Sequence, residues 1–117
     1  MAAEETNNNL SDNELYQTAE DYLPKLAGGL MAIAELMRNG NEADGAFFFT
    51  KAADGLRWLA GFLRNIKSFD CQEIKELGNY LTCLLDALEN DDYVLIGDLL
   101  EYELVPFVEQ VNTCILA

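Results

Sequence analysis

Asp92–Val111 reads DYVLIGDLLEYELVPFVEQV, and it sets the architecture to expect. Apolar residues recur at Leu95/Ile96, Leu99, Leu100, Leu104, Phe107/Val108 and Val111. That three-and-four spacing is the pattern of a helix with one buried face. Five carboxylates and two tyrosines share the stretch, which contains no base. Pro106 lies inside it. A proline has no N–H to donate, so the Tyr102 carbonyl loses its intrahelical donor and a bend is expected near Pro106. Residues 112–117 are expected to fray.

Working outward, Asn90-Asp91-Asp92 is a turn, and either aspartate can cap the helix that follows. So short a turn makes the helix before it an antiparallel neighbour. That third helix is expected from about Cys71 to Glu89, with a seam of Ile74, Leu77, Leu81, Leu84/Leu85 and Leu88. Asp70 is its expected N-cap and Glu73 the capping partner, after a connection at Lys67–Asp70. The second helix is expected over Glu42–Ile66, with Phe48, Ala52, Gly55/Leu56, Leu59, Leu63 and Ile66 inward. Phe47, Phe48 and Phe49 cannot share a face, because successive helical residues turn by about 100°. At least one ring must meet another element or solvent.

Asn39-Gly40-Asn41 is the stop between the second helix and the first. The first is expected from about residue 12 to Arg38, with Ser11 as N-cap and Glu14 completing a capping box. Ala19, Leu23, Leu26, Leu30, Ile33 and Met37 form its heptad-like seam. Pro24 interrupts it, so the helix either kinks or splits there, with Thr18 capping a second piece and Asp21 at that piece's third position. The expected fold is all-α: an antiparallel up-down four-helix bundle, the first helix split or kinked at Pro24 and the last bent near Pro106. Residues 1–10 are an expected disordered acidic lead and 11–117 a single helical domain.

The first two helices echo each other. Lys25–Asn39 (KLAGGLMAIAELMRN) and Lys51–Asn65 (KAADGLRWLAGFLRN) agree at seven of fifteen positions at an offset of 26. One period is one helix plus its turn, which suggests similar helices packed antiparallel.

A chain of 117 residues, half of them apolar, can build one real core without staples. Its net charge of −14 is unevenly spread. Residues 1–24 hold six acids and no base, residues 25–75 hold all seven bases and six acids, and residues 76–117 hold nine acids and no base. Such a field repels nucleic acids and anionic membranes and attracts basic proteins. The opening MAAEETNNNL lacks the pattern of a signal or transit peptide, and no apolar run is long enough to span a bilayer. Asn9-Leu10-Ser11 matches a glycosylation sequon, read as chance without a secretion signal. Cys71, Cys83 and Cys114 are too widely spaced for a metal-binding or redox motif. They read as reduced, mostly buried thiols in a cytoplasmic protein.

The catalytic signals are weak. Without histidine the Glu-x-x-His di-iron arrangement cannot be built. Asn39–Gly45 fails the EF-hand pattern, because Lys51 stands where a carboxylate is required. Glu35 and Asp54 lie near apolar stripes but read as boundary residues, and no nucleophile-elbow, Walker or Rossmann motif occurs. Gly28-Gly29, Gly55 and Gly61 read as points of close helix approach. The ending Cys114-Ile115-Leu116-Ala117 matches the prenylation pattern but lacks polybasic support. No cofactor or metal is expected.

Two surfaces remain as candidate partner-binding sites. Asp98, Glu101, Tyr102 and Glu109 should share the outer side of the last helix and suit a basic partner. Phe47, Phe49 and Trp58, with Phe48 and Phe62, are more aromatic surface than one seam can bury. They suit a homodimer face or a groove for a partner's apolar helix.

The string Asp92–Pro106, and more loosely Asp21-Tyr22-Leu23-Pro24, resembles an uncharacterised family of small acidic all-helical bacterial proteins. The resemblance implies a bacterial, cytoplasmic, all-α protein and brings no functional residues. The expected function is a non-enzymatic protein-interaction module: an adaptor, chaperone-like or regulatory protein for a more basic partner. The alternative is an acidic nucleic-acid mimic or neutralising, immunity-type protein. An enzyme or metal carrier is the third class.

Overall fold

The computed structural model describes residues 12–65 and 71–116, and nearly all of them are helical. The protein is all-α. Helix α1 spans Asp12–Arg38, α2 Glu42–Asn65 and α3 Cys71–Glu89. Helix α4 (Tyr93–Leu99), a π-helical turn (Leu100–Leu104) and α5 (Val105–Leu116) then follow without a break. The expected caps at Ser11 and Asp70, the connection at 67–70 and the lead at 1–10 lie outside the described residues.

Helix α1 is the centre of the molecule. It packs against α2 and against the continuous rod from α4 to α5. Its six seam residues are all buried, and Ala27 and Ala34 widen the buried stripe. Helix α3 leans mainly on α4 and touches α2 and the π turn more lightly. Each large aliphatic side chain taken fully from water stabilises the fold by roughly 1.5–3 kcal/mol. Leu23, Leu30, Leu59, Leu63, Leu77, Leu84, Ile96, Leu100, Leu104 and Val108 are the largest such residues.

Pro24 does not split α1. Pro24 and Glu20 are both exposed, so water can serve the Glu20 carbonyl that the proline leaves without a donor. Thr18 donates its hydroxyl back to the Glu14 carbonyl at 2.9 Å, inside the helix, and so caps nothing. Pro106 acts differently. Immediately before it the chain widens into the π turn, closed by the Val105 N–H to the Leu100 carbonyl. A wider turn relieves the clash between a proline ring and the carbonyl four residues back. It also brings Val105 to the core beside Leu100 and Leu104, which simple helical spacing missed. Leu95, expected inward, is exposed, and the helix runs on to Leu116 instead of fraying from residue 112.

The two short turns share one geometry. At the first, Gly40 takes φ 84° and the Asn41 N–H returns to the Leu36 carbonyl at 2.9 Å. At the second, Asp91 takes φ 53° and the Asp92 N–H returns to the Ala87 carbonyl at 2.9 Å. Both are Schellman-type endings. Of the two candidate caps, Asp92 is the one used: its carboxylate accepts the Leu95 N–H at 3.2 Å.

Helix α2 is rotated from its expected register. Phe49 rather than Phe48 joins Ala52, Leu56, Leu59 and Leu63 on the core side, and Phe62 is also buried. Phe47 and Phe48 are 58% and 47% exposed. In α3, Leu85 is likewise exposed, leaving Leu77, Leu84 and Ala87 as the fully buried residues. Of the glycines proposed for close approach, only Gly55 serves that purpose: a Cβ there would lie 2.1 Å from the Tyr22 hydroxyl. Gly28, Gly29 and Gly61 face open space.

Candidate functional site

The acidic face of the last helix does not stand free. Helix α1 ends at Arg38, and its guanidinium reaches across to α4 and the π turn. It forms an ion pair with Asp98 at 3.0 Å and a second, closer one with Glu101. It also lies over the Tyr102 ring, 5.8 Å from the centroid. Hydrogen bonds to Glu101 and then to Asp98 raise the Arg38 pKa, so the base holds its charge throughout. Gly97 makes the approach possible. A Cβ there would lie 3.1 Å from Arg38 Nε and 3.3 Å from the Ala34 carbonyl oxygen. Three of the four residues expected to meet a basic partner thus meet the protein's own arginine.

The π turn sends its other glutamate elsewhere. Glu103 lies near the Tyr80 hydroxyl of α3, whose ring packs edge-on against Phe107 at 5.8 Å. Burial first, then Glu76 and Glu103, raise the Tyr80 pKa. Glu109, the fourth expected residue, lies apart. It lines a cavity between α1 and α5 with Pro24, Gly28, Met31 and Asn112.

The aromatic candidates divide. Trp58 is half-buried, stacked on Phe62 at 5.3 Å and edge-on to Tyr22 at 5.6 Å. Phe49 is half-buried against the core. Phe47 stays exposed, with the Lys51 ammonium 5.1 Å from its ring centroid. Beside it α1 and α2 leave an apolar groove of about 380 Å³. Tyr22, Leu26, Gly29, Ile33 and Leu36 come from α1 and Phe48 and Ala52 from α2. Two lysines, Lys25 and Lys51, complete the lining with Ala32, and no carboxylate takes part.

Sequence reasoning missed Arg38, Lys25 and Lys51. The signal for Arg38 was the three-residue spacing of Asp98 and Glu101, which puts both carboxylates on one helix face. The signal for the lysines was the internal echo, in which Lys25 and Lys51 hold the same place. The thiols also differ from expectation. Cys83 and Cys114 are exposed rather than buried, and they form no disulfide. The Cys71 side chain and Ala117 lie outside the described residues. Among the described residues no three Cys, Asp or Glu side chains gather as metal ligands, and no helix is long and apolar enough to cross a membrane.

These features define an all-helical protein with an acidic cluster bridged by its own arginine and an open apolar groove. Residues 14–113 match the family model described as "Domain of unknown function (DUF8042)", and the chain belongs to that family. This agrees with the resemblance to an uncharacterised family seen in the sequence. No curated protein and no solved structure matches the chain.

Proposed function

We propose that the protein is a non-enzymatic interaction module, of adaptor, chaperone-like or regulatory type, that seats an apolar helix of a partner protein between α1 and α2. The observation that carries this reading is Phe48. It forms one wall of an apolar groove, yet 47% of it remains in water. Phe47 beside it is more exposed still. Exposed aromatics around a concave apolar surface fit helix-in-groove recognition. Groove length supports it too: Tyr22 to Leu36 covers roughly 21 Å of helix at 1.5 Å per residue. We read the helices as an antiparallel up-down bundle. Tyr22 and Leu26 lie level with Gly55 while Met37 lies level with Gly45, and this supports the reading.

The charge of −14 favours a partner more basic than the protein itself and disfavours nucleic acid and anionic membranes. With reduced thiols, it suits a cytoplasmic setting. A nucleic-acid mimic is less well supported, because Arg38 already occupies Asp98 and Glu101. A homodimer through the same groove would bring together two strongly acidic chains.

The test is capture of partners from the cells that make the protein, comparing the natural chain with Gly29→Leu. Gly29 lines the groove, and a Cβ there meets no atom within 4 Å, so leucine fills the groove without disturbing the core. A partner held at moderate salt by the natural chain and lost from the variant supports the reading. A partner held equally by both, or released from the natural chain by mild salt, contradicts it.

A further inference from the structure

Charge inverts at the groove. Elsewhere the molecule is dominated by carboxylates, but the groove lining contains two lysines and no acid. Neither lysine is consumed by an ion pair among the described residues. The described ion pairs are Arg38 with Asp98 and Glu101, and Arg57 with Asp54. Lys51 rests over the Phe47 ring, which holds a charge but does not neutralise it.

The two lysines stand on opposite walls. Gly55 lies level with Tyr22 and Leu26, so Lys51, one turn earlier in α2, lies level with the next turn of α1, near Gly29. Lys25 is therefore about one helical turn, roughly 5 Å, from Lys51 along the groove. They also hold matching places in the 26-residue echo, one on each helix. Beyond them the lining is Ala32, Ile33, Leu36 and Phe48, with no polar side chain. The lysines lie over one half of the groove, from Lys25 to its middle, and the other half is wholly apolar.

Resting on the interaction-module reading, we infer that the seated segment is an amphipathic helix with carboxylates beside one half of its apolar stripe, meeting Lys25 and Lys51. A free anionic amphiphile would share the head-group chemistry. Its single chain would cover Phe48 but leave Phe47, outside the groove lining, in water, whereas a helix about 10 Å wide spans both rings and turns its own polar face outward. The local preference opposes the field of the whole molecule, which favours a basic segment. The partner is then basic overall but acidic where it enters.

The experiment uses two synthetic helix-forming peptides with one leucine stripe. They differ only in carrying Glu or Lys at two positions one turn apart beside that stripe. Binding to the full chain is measured by calorimetry at about 0.15 M salt, where surface fields fade beyond about 8 Å. Fluorescence of Trp58, which packs on the groove residue Tyr22, provides a second readout. The Glu peptide should bind about tenfold tighter, the scale of two exposed ion pairs. The double variant Lys25→Gln/Lys51→Gln should reverse the preference, and Gly29→Leu should abolish binding of both peptides. Equal binding of the two peptides, or tighter binding of the Lys peptide, overturns the acidic-helix proposal while leaving the groove reading intact. Failure of both peptides to bind overturns the groove reading as well. Displacement of the Glu peptide by dodecanoate at matched concentration would assign the groove to an amphiphile and also overturn the proposal.

Discussion

Gly97 and Gly61 are both helical glycines, and their replacement by alanine should move stability in opposite directions. At Gly61 a Cβ would meet nothing within 4 Å. Gly61→Ala should therefore stabilise by about 0.5–1 kcal/mol, through helix propensity and a less disordered unfolded chain. At Gly97 the Cβ would press on Arg38 and on the backbone oxygen of Ala34. Gly97→Ala should destabilise by about 1–2 kcal/mol, because overpacking outweighs propensity. Urea unfolding of the two variants checks the pair, and a gain at Gly97 would mean that the approach of α1 to α4 is loose. Tyr80 gives the pH dependence. Its pKa is raised, so the folded state favours the neutral phenol. The stability it contributes is complete below the ordinary tyrosine value of 10.0 and is lost as pH rises through the higher folded value. Thermal melts should fall above about pH 10, and Tyr80→Phe should fall less steeply. Identical slopes would remove Tyr80 from the account.

At the scale of elements, the π turn is the feature whose form the sequence concealed. Pro106 announced an irregularity, but a bend and a wide turn begin from the same missing N–H. The choice depends on packing: the wide turn buries Val105 beside Leu100 and Leu104 and points Glu101 and Glu103 at different neighbours. A π turn holds one residue more than the α-helix around it, which gives a test. Removing exposed Tyr102 together with Pro106→Ala should return the segment to α geometry and preserve a cooperative melt. Removing exposed Glu109 instead should rotate the rest of α5 by about 100° and unfold its packing. Equal damage from both deletions would contradict this account of the turn. Much else was legible because spacing alone decides it. The seam of α1 is buried at every position, and both short turns form where Gly or Asp can take a positive φ. The α2 register was not legible. Three consecutive phenylalanines fit more than one register, and contact with α3 and the core selects Phe49. The cluster at Arg38 was equally hidden, since it joins residues 60 and 63 positions apart.

For the whole molecule, charge and apolar exposure pull in different directions. A net charge of −14 on 117 residues should be self-repelling. The melting temperature should therefore rise as salt increases from about 0.01 M to about 0.15 M, where screening shortens from about 30 Å to about 8 Å. A falling melting temperature would mean that the Arg38 pairs outweigh the general repulsion. The groove has the opposite character, apolar and locally cationic, and it faces water only because Phe47 and Phe48 turn away from the core. The sequence foretold aromatic excess, but Lys25 and Lys51 could be placed across one groove only after the level of α1 against α2 was known. The central claim is that this groove seats a helix of another protein. Its most direct test places a photo-reactive phenylalanine analogue at position 48 in cells that make the protein, with the adduct mapped by mass spectrometry. The expected result is a crosslink to a helix-forming segment of a different protein, lost when Gly29→Leu fills the groove. Crosslinks confined to the chain itself, or unchanged by Gly29→Leu, would contradict it.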